Sequence, residues 1–130
     1  MNKRVLLGMA VLLFSVTLLM AQEIPAGVIT AFKKGSSQEL NKFMGETINL
    51  VVLGSSTSVD KQEATAKMQE FFAENKVEAF DVNHQGKRDE SSFLVGTLQT
   101  VNGKFRVNCF LRREQTQCLI HQIRIDKINE

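Results

Sequence analysis

The chain has no tryptophan and no tyrosine. A phenol that could donate to a developing oxyanion is therefore absent. It has one proline, no long low-complexity run and no internal repeat. These features point to one compact domain. There is no glycine-rich phosphate loop, no serine-centred elbow and no dinucleotide motif. No Asn-x-Ser/Thr acceptor occurs anywhere. Two histidines and two cysteines are present. They do not form the close Cys and His pairs usual for a zinc site, so no metal site is expected. No cofactor is expected either.

One long apolar run is present, at the N-terminus. Lys3 and Arg4 precede apolar Val5 to Leu19, and small Ala21 stands before Gln22. This is the layout of a secretory signal peptide, with 1–21 removed and 22–130 retained. A membrane anchor needs roughly 20 consecutive apolar residues. Gln22 and Glu23 end the run too early for one, so no stable anchor remains after cleavage. The expected address is secreted or periplasmic. Cleavage removes Lys3 and Arg4 and no acid. Fourteen of the 16 basic residues then face 14 acidic ones. A neutral mature chain has no general electrostatic drive toward nucleic acid or acidic membranes.

The retained part opens with Pro25, suited to a first helical turn. Ile24, Val28, Ala31 and Phe32 share one helical face, and Gly35 can end it left-handed. Ser36 and Glu39 form a capping box. Leu40, Phe43 and Met44 make a short apolar face stopped by Gly45. "ETINLVVLG" reads as a β-branched strand. "SSTSVDKQEATAKMQEFFAEN" reads as a polar loop entering a helix capped by Asp60. Ala64, Met68, Phe71 and Phe72 form that helix's apolar face. This spacing favours core over a ligand box, since any amphipathic helix needs such a face. Four strands follow. Asn102-Gly103 marks the hairpin between the second and third of them. The order α-α-β-α-β-β-β-β is α+β, with three helices covering one face of a curved antiparallel sheet.

"FFAEN", "NHQG", "GTLQTVNGKFRV" and "LIHQIRI" resemble a secreted Bacteroidetes family carried as domain of unknown function 4783. The element order resembles the wider nuclear transport factor 2-like (cystatin-like) superfamily. The resemblance spans residues 24 to 127 and rests on structural motifs, none of them catalytic. It implies a cone-shaped cavity between helices and sheet, used by some members for catalysis and by others for binding or dimerisation. Fold alone does not select among these. In this chain the cavity lining would be Phe32, Met68, Phe71, Phe72, Phe80, Val82, Phe105, Val107 and Ile123.

Superfamily isomerases use an aspartate with a tyrosine and a second acid. The tyrosine is missing, and alternation turns Asp81 and Asp126 to solvent. Dehydratase-like members use histidine with aspartate, for which only His84 and His121 are available. Arg106, Arg112, Arg113 and Arg124 cluster on the last two strands, read as a solvated outer face. The expected function is non-catalytic binding of a small apolar ligand or a protein partner, with a homodimer through the sheet. The competing reading is a small isomerase- or hydrolase-like enzyme using His84 or His121 in the sheet–helix cavity.

Register decides the cysteines. Phe105, Val107, Cys109 and Leu111 share one face. A straight last strand puts Leu119 and His121 inside and Cys118 outside. A β-bulge near His121-Gln122 instead puts Cys118, Ile120, Ile123 and Ile125 inside and frees His121. The bulge is preferred, because curved sheets use bulges. It would also let a Cys109–Cys118 bridge form if the Cα atoms approach within about 7 Å.

Overall fold

The computed structural model describes residues 24–129. The signal-peptide reading of 1–21 lies outside them. Helix α1 is Ala26–Lys34, with Pro25 at its N-cap and Gly35 left-handed at φ 64°. Helix α2, Ser37–Asn41, is capped by Ser36, whose side chain accepts from the Glu39 N–H. Strand β1, Met44–Val52, begins two residues earlier than the β-branched pattern indicates. Strand β2 is Ser55–Asp60. Helix α3 is Lys61–Glu74, capped by the Asp60 carboxylate on Glu63 N–H. Strands β3, β4, β5 and β6 are Val77–Arg88, Ser91–Thr100, Gly103–Glu114 and Gln117–Lys127.

Strand β2 corrects the reading of its residues as a polar loop. Its hairpin turn is Leu53-Gly54, with φ of 51° and 87°. Two left-handed residues are what a tight hairpin requires, and Asn-Gly is its usual signal. Leucine conceals that signal, and a strand of Ser and Thr shows no hydrophobic alternation.

The six strands form one sheet in the order β2-β1-β6-β5-β4-β3. Every neighbouring pair is antiparallel except β1 and β6, which run parallel. Helices α1 and α3 pack on one face. There the predicted helix faces meet the alternate strand residues in a single core, from Val28 and Phe32 to Ile123 and Ile125. The Phe80 ring crosses Gly96, where a Cβ would lie 2.4 Å from it. That contact requires glycine.

Besides a register shift between Val77 and Ala79 at the start of β3, three irregularities interrupt the sheet. On β6, Gln122 pairs with Phe110 and Ile120 with Leu111, so His121 is the bulged residue. The bulge preferred from the sequence is present, and Ile120, Ile123 and Ile125 are buried. On β3, the register shifts between Val82 and His84. The third lies between β1 and β6, where the partners jump from Met44–Ile120 to Asn49–Gln122. Four β1 residues there face one β6 residue.

Candidate functional site

The residues expected to line an apolar cavity instead touch one another. Phe32, Met68, Phe71, Phe72, Phe80, Phe105, Val107 and Ile123 are buried, and Val82 packs against them half-buried. The Phe32 and Phe80 rings are 5.1 Å apart, and those of Phe71 and Phe105 are 5.2 Å apart, edge to face. Aromatic contacts at these spacings are core packing. Of the nine, only Phe71 borders one of the two clefts described next.

The smaller cleft, about 220 Å³, lies between the β1–β2 hairpin and α3. Leu50, Val52, Leu53 and Phe71 give it an apolar side, and Lys67, Glu70 and Glu74 a charged one. The larger, about 470 Å³, opens where β1 parts from β6. Lys42, Lys61, Glu46, Glu114 and His121 border it, with Met44 and Leu119 as its apolar part.

The two candidate histidines are separated by the sheet's bulges. Uninterrupted alternation along β3 would place His84 on the face of Phe80 and Val82. The β3 shift instead pairs it with Val95, on the face away from the helices. It is exposed there, its ring 5.3 Å from that of Phe93. It is therefore not in a sheet–helix cavity. His121 borders the larger cleft, with Nε2 3.1 Å from Glu114 Oε1. Nε2 is shut off from solvent and makes no directed hydrogen bond among the described residues. The distance and the missing hydrogen bond are compatible. The carboxylate is close, but not aligned with the ring N–H as a hydrogen bond requires. Sequence reasoning missed Glu114, Lys42 and Lys61 as neighbours of His121. They meet through a bulge and a split ladder, which leave no local pattern.

The cysteines are free. This corrects the proposed Cys109–Cys118 bridge. The bulge does turn Cys118 toward the core side, where it is half-buried against the core. However, Cys109 is opposite Ile123 and Cys118 is opposite Arg113. Four residues of strand separate Cys109 from Arg113, about 13 Å. A disulfide requires Cα atoms within about 7 Å. Burial pushes the Cys109 thiol up to about 12. A neutral, enclosed thiol is a small hydrophobe and not a nucleophile.

Asp81 and Asp126 are on the outer face, as alternation required. Asp81 accepts from Gln99 Nε2, and Asp126 pairs with Arg124 at 2.9 Å. Arg106, Arg112, Arg113 and Arg124 are all exposed. The outer face also carries apolar groups. Phe110, 42% exposed, stands opposite Phe93 on the next strand, and Val95 lies beside them half-buried. Among the described residues no group of three His, Cys, Asp or Glu could hold a metal ion. None of their helices is long and apolar enough to cross a membrane.

The geometry has counterparts. The family model described as domain of unknown function DUF4783 matches residues 25–126. A crystal structure of a DUF4783 family protein from Bacteroides ovatus is 74% identical. It covers 85% of this chain and 100% of its own, with a TM-score of 0.82. A solved structure whose name carries that of nuclear transport factor 2 is 14% identical, with a TM-score of 0.65 over 82% of this chain and 96% of its own. A Nostoc punctiforme domain of unknown function with a cystatin-like fold is 12% identical. Its TM-score is 0.63 over 81% of this chain and 73% of its own. At these low identities the likeness is one of fold. No curated protein matches.

Proposed function

Because the chain belongs to the DUF4783 family, whose description names no reaction, we propose a role for it from its surfaces. It is a non-catalytic binding domain, exported with loss of residues 1–21 and acting in the periplasm or outside the cell. It binds a protein through the outer sheet face, and a second copy of the chain is the first partner to test.

The observation that carries this is the exposed Phe110 beside Phe93, on a face that no helix among the described residues covers. Across the strands this face also offers Arg106 and Arg124 together with Asp81 and Asp126. A face with both signs can meet its own copy across a two-fold axis without a net like-charge field. Close packing of Phe32, Phe71, Phe80 and Phe105 favours this surface reading over a small apolar ligand between helices and sheet. The isomerase- or hydrolase-like alternative retains the His121–Glu114 contact alone, in an open surface cleft.

The test is light scattering of residues 22–130 across a concentration series, beside Phe110→Glu. We expect a dimer mass for the parent and a monomer mass for the variant, with unchanged circular dichroism. A monomeric parent at every concentration removes the self-association reading. N-terminal sequencing of the protein from its own cells checks export. Gln22 is the expected first residue, and a retained Met1 would count against it.

A further inference from the structure

We propose that the open edge of β2 takes an extended segment of another protein as an added strand, with one apolar side chain of that segment in the smaller cleft. Strand β2 is outermost at its end of the sheet. Its two-residue loop closes on Val52 and Ser55, and such a loop closes on a hydrogen-bonded pair. Alternation then assigns the backbone groups of Ser55, Thr57 and Val59 to β1. Those of Ser56 and Ser58 point to the free edge, and no other backbone hydrogen bond among the described residues takes them up. Both residues are exposed. Natural proteins blunt such edges with lysine, proline or bulges. The opposite edge strand, β3, has two register shifts and carries Lys87 and Arg88. Strand β2 has no register shift, no lysine and no proline. An unblunted edge receives an extended peptide through its main chain.

The cleft beside this edge defines the side chain. Ser55 and Thr57 both border it. In an added strand, a residue between the partners of Ser56 and Ser58 stands on the same side as Thr57. The wall it meets is apolar, with Val52 and Leu53 over the buried Leu50 and Phe71. A volume of about 220 Å³ is below the usual range for small-molecule pockets and suits a single side chain. Leu53 is an independent sign of a ligand. It is exposed at φ 51°, where asparagine or glycine would sit without strain. Backbone strain of this kind clusters at ligand contacts. A strained leucine at the mouth of the cleft has a purpose if it covers the guest side chain. On the α3 side Glu70 and Glu74 outnumber Lys67, so basic residues suit the guest's flanks.

Two strands, β1 and β6, separate this edge from Phe110 on β5, so the site does not depend on self-association through the outer face. The probe is acetyl-Lys-Thr-Leu-Thr-Lys-amide, added to isotope-labelled 22–130 while amide exchange is followed. In the protein alone, the Ser56 and Ser58 amides should exchange at unfolded-chain rates, and that of Thr57 far more slowly. The peptide should protect Ser56 and Ser58 saturably, with a Kd of about 1 mM or tighter. N-methylation of its two threonines, which lie opposite Ser56 and Ser58, should weaken binding by about tenfold or more, as should serine in place of its leucine. Leu53→Asn should weaken binding about threefold with the fold retained. Ser56→Pro, which removes an edge N–H and none bonded to β1, should abolish it. No saturable protection up to about 10 mM, equal binding of the N-methylated peptide, or unchanged binding by Leu53→Asn would each overturn the proposal. So would protection of Ser56 and Ser58 in the protein alone that rises with its concentration, because a second copy would then occupy the edge.

Discussion

Cys109 shows how one atom sets a pH limit on the fold. Its thiol is fully enclosed, and burial raises its pKa from 9.0 to about 12. The unfolded chain therefore releases this proton above about pH 9, while the folded chain keeps it. The stabilisation is fully present below pH 9 and is lost as pH rises toward 12. Cys109→Val fills the site without a proton to lose. Denaturant midpoints from pH 8 to 11 should fall more steeply for the parent than for the variant, by up to about 1 kcal/mol per pH unit. Equal slopes would remove Cys109 from the alkaline response. In native protein, alkylation should reach half-buried Cys118 well before Cys109.

Leu53 is the second instructive residue. It is 56% exposed and sits at φ 51°, a conformation that leucine adopts at a steric cost. Its N–H donates to the Ile125 carbonyl at 2.9 Å, which ties the turn to β6. Asparagine tolerates this backbone angle. Leu53→Asn should raise stability by about 1 kcal/mol, read from urea midpoints. A destabilised variant would mean that the side chain holds the turn through contacts on the smaller cleft.

At the scale of elements, turn chemistry separates what was legible from what was not. Asn102-Gly103 marked the β4–β5 hairpin, and the hairpin is there. Its loop, however, is Val101-Asn102, because Thr100 pairs with Gly103. Gly103 alone takes the positive φ, at 108°. Asn102 is then free to reach the end of α3, where its Nδ2 donates to Glu74 O and to Asn75 Oδ1. The hairpin tip thus caps a helix 28 residues away in sequence. Asn102→Ala removes both hydrogen bonds and should cost about 1–2 kcal/mol in thermal or chemical unfolding. Gly96→Val, which forces the Phe80 ring aside, should cost at least as much.

Caps and helical faces were readable because each depends on residues within one or two turns. Ser36, Asp60, Gly35 and the Ala64–Met68–Phe71–Phe72 stripe all behave as local physics requires. The bulges were readable only in part. A bulge near His121 followed from the need to curve the sheet. The shift at Asn83, which turns His84 outward, had no such clue, since "VEAFDVNHQ" alternates well without it. The charged cleft was invisible for the same reason. It exists because two strands distant in sequence separate for four residues.

At the scale of the whole molecule, the sheet has two halves of different origin. Strands β3 to β6 form a meander whose neighbours are sequential. Strand β1 joins it beside β6, from the other end of the domain. Pairing across so much chain is slow, because loop closure must precede the contacts that reward it. Refolding from urea should therefore show a millisecond-to-second main phase. Gly45→Val, which crowds Ile120 O, should slow that phase if the β1–β6 junction belongs to the folding nucleus, and should speed unfolding alone if it forms late.

The position of β6 has a consequence for how the chain is made. Synthesis and any vectorial passage through a membrane present residues in order, N-terminus first. Until Gln117–Lys127 emerges, β1 has only its short polar hairpin partner, and the core face of Ile48 and Leu50 has no closing strand. The domain cannot finish its core from a partial chain. It stays threadable until its last eleven-residue strand is delivered, and then closes around it.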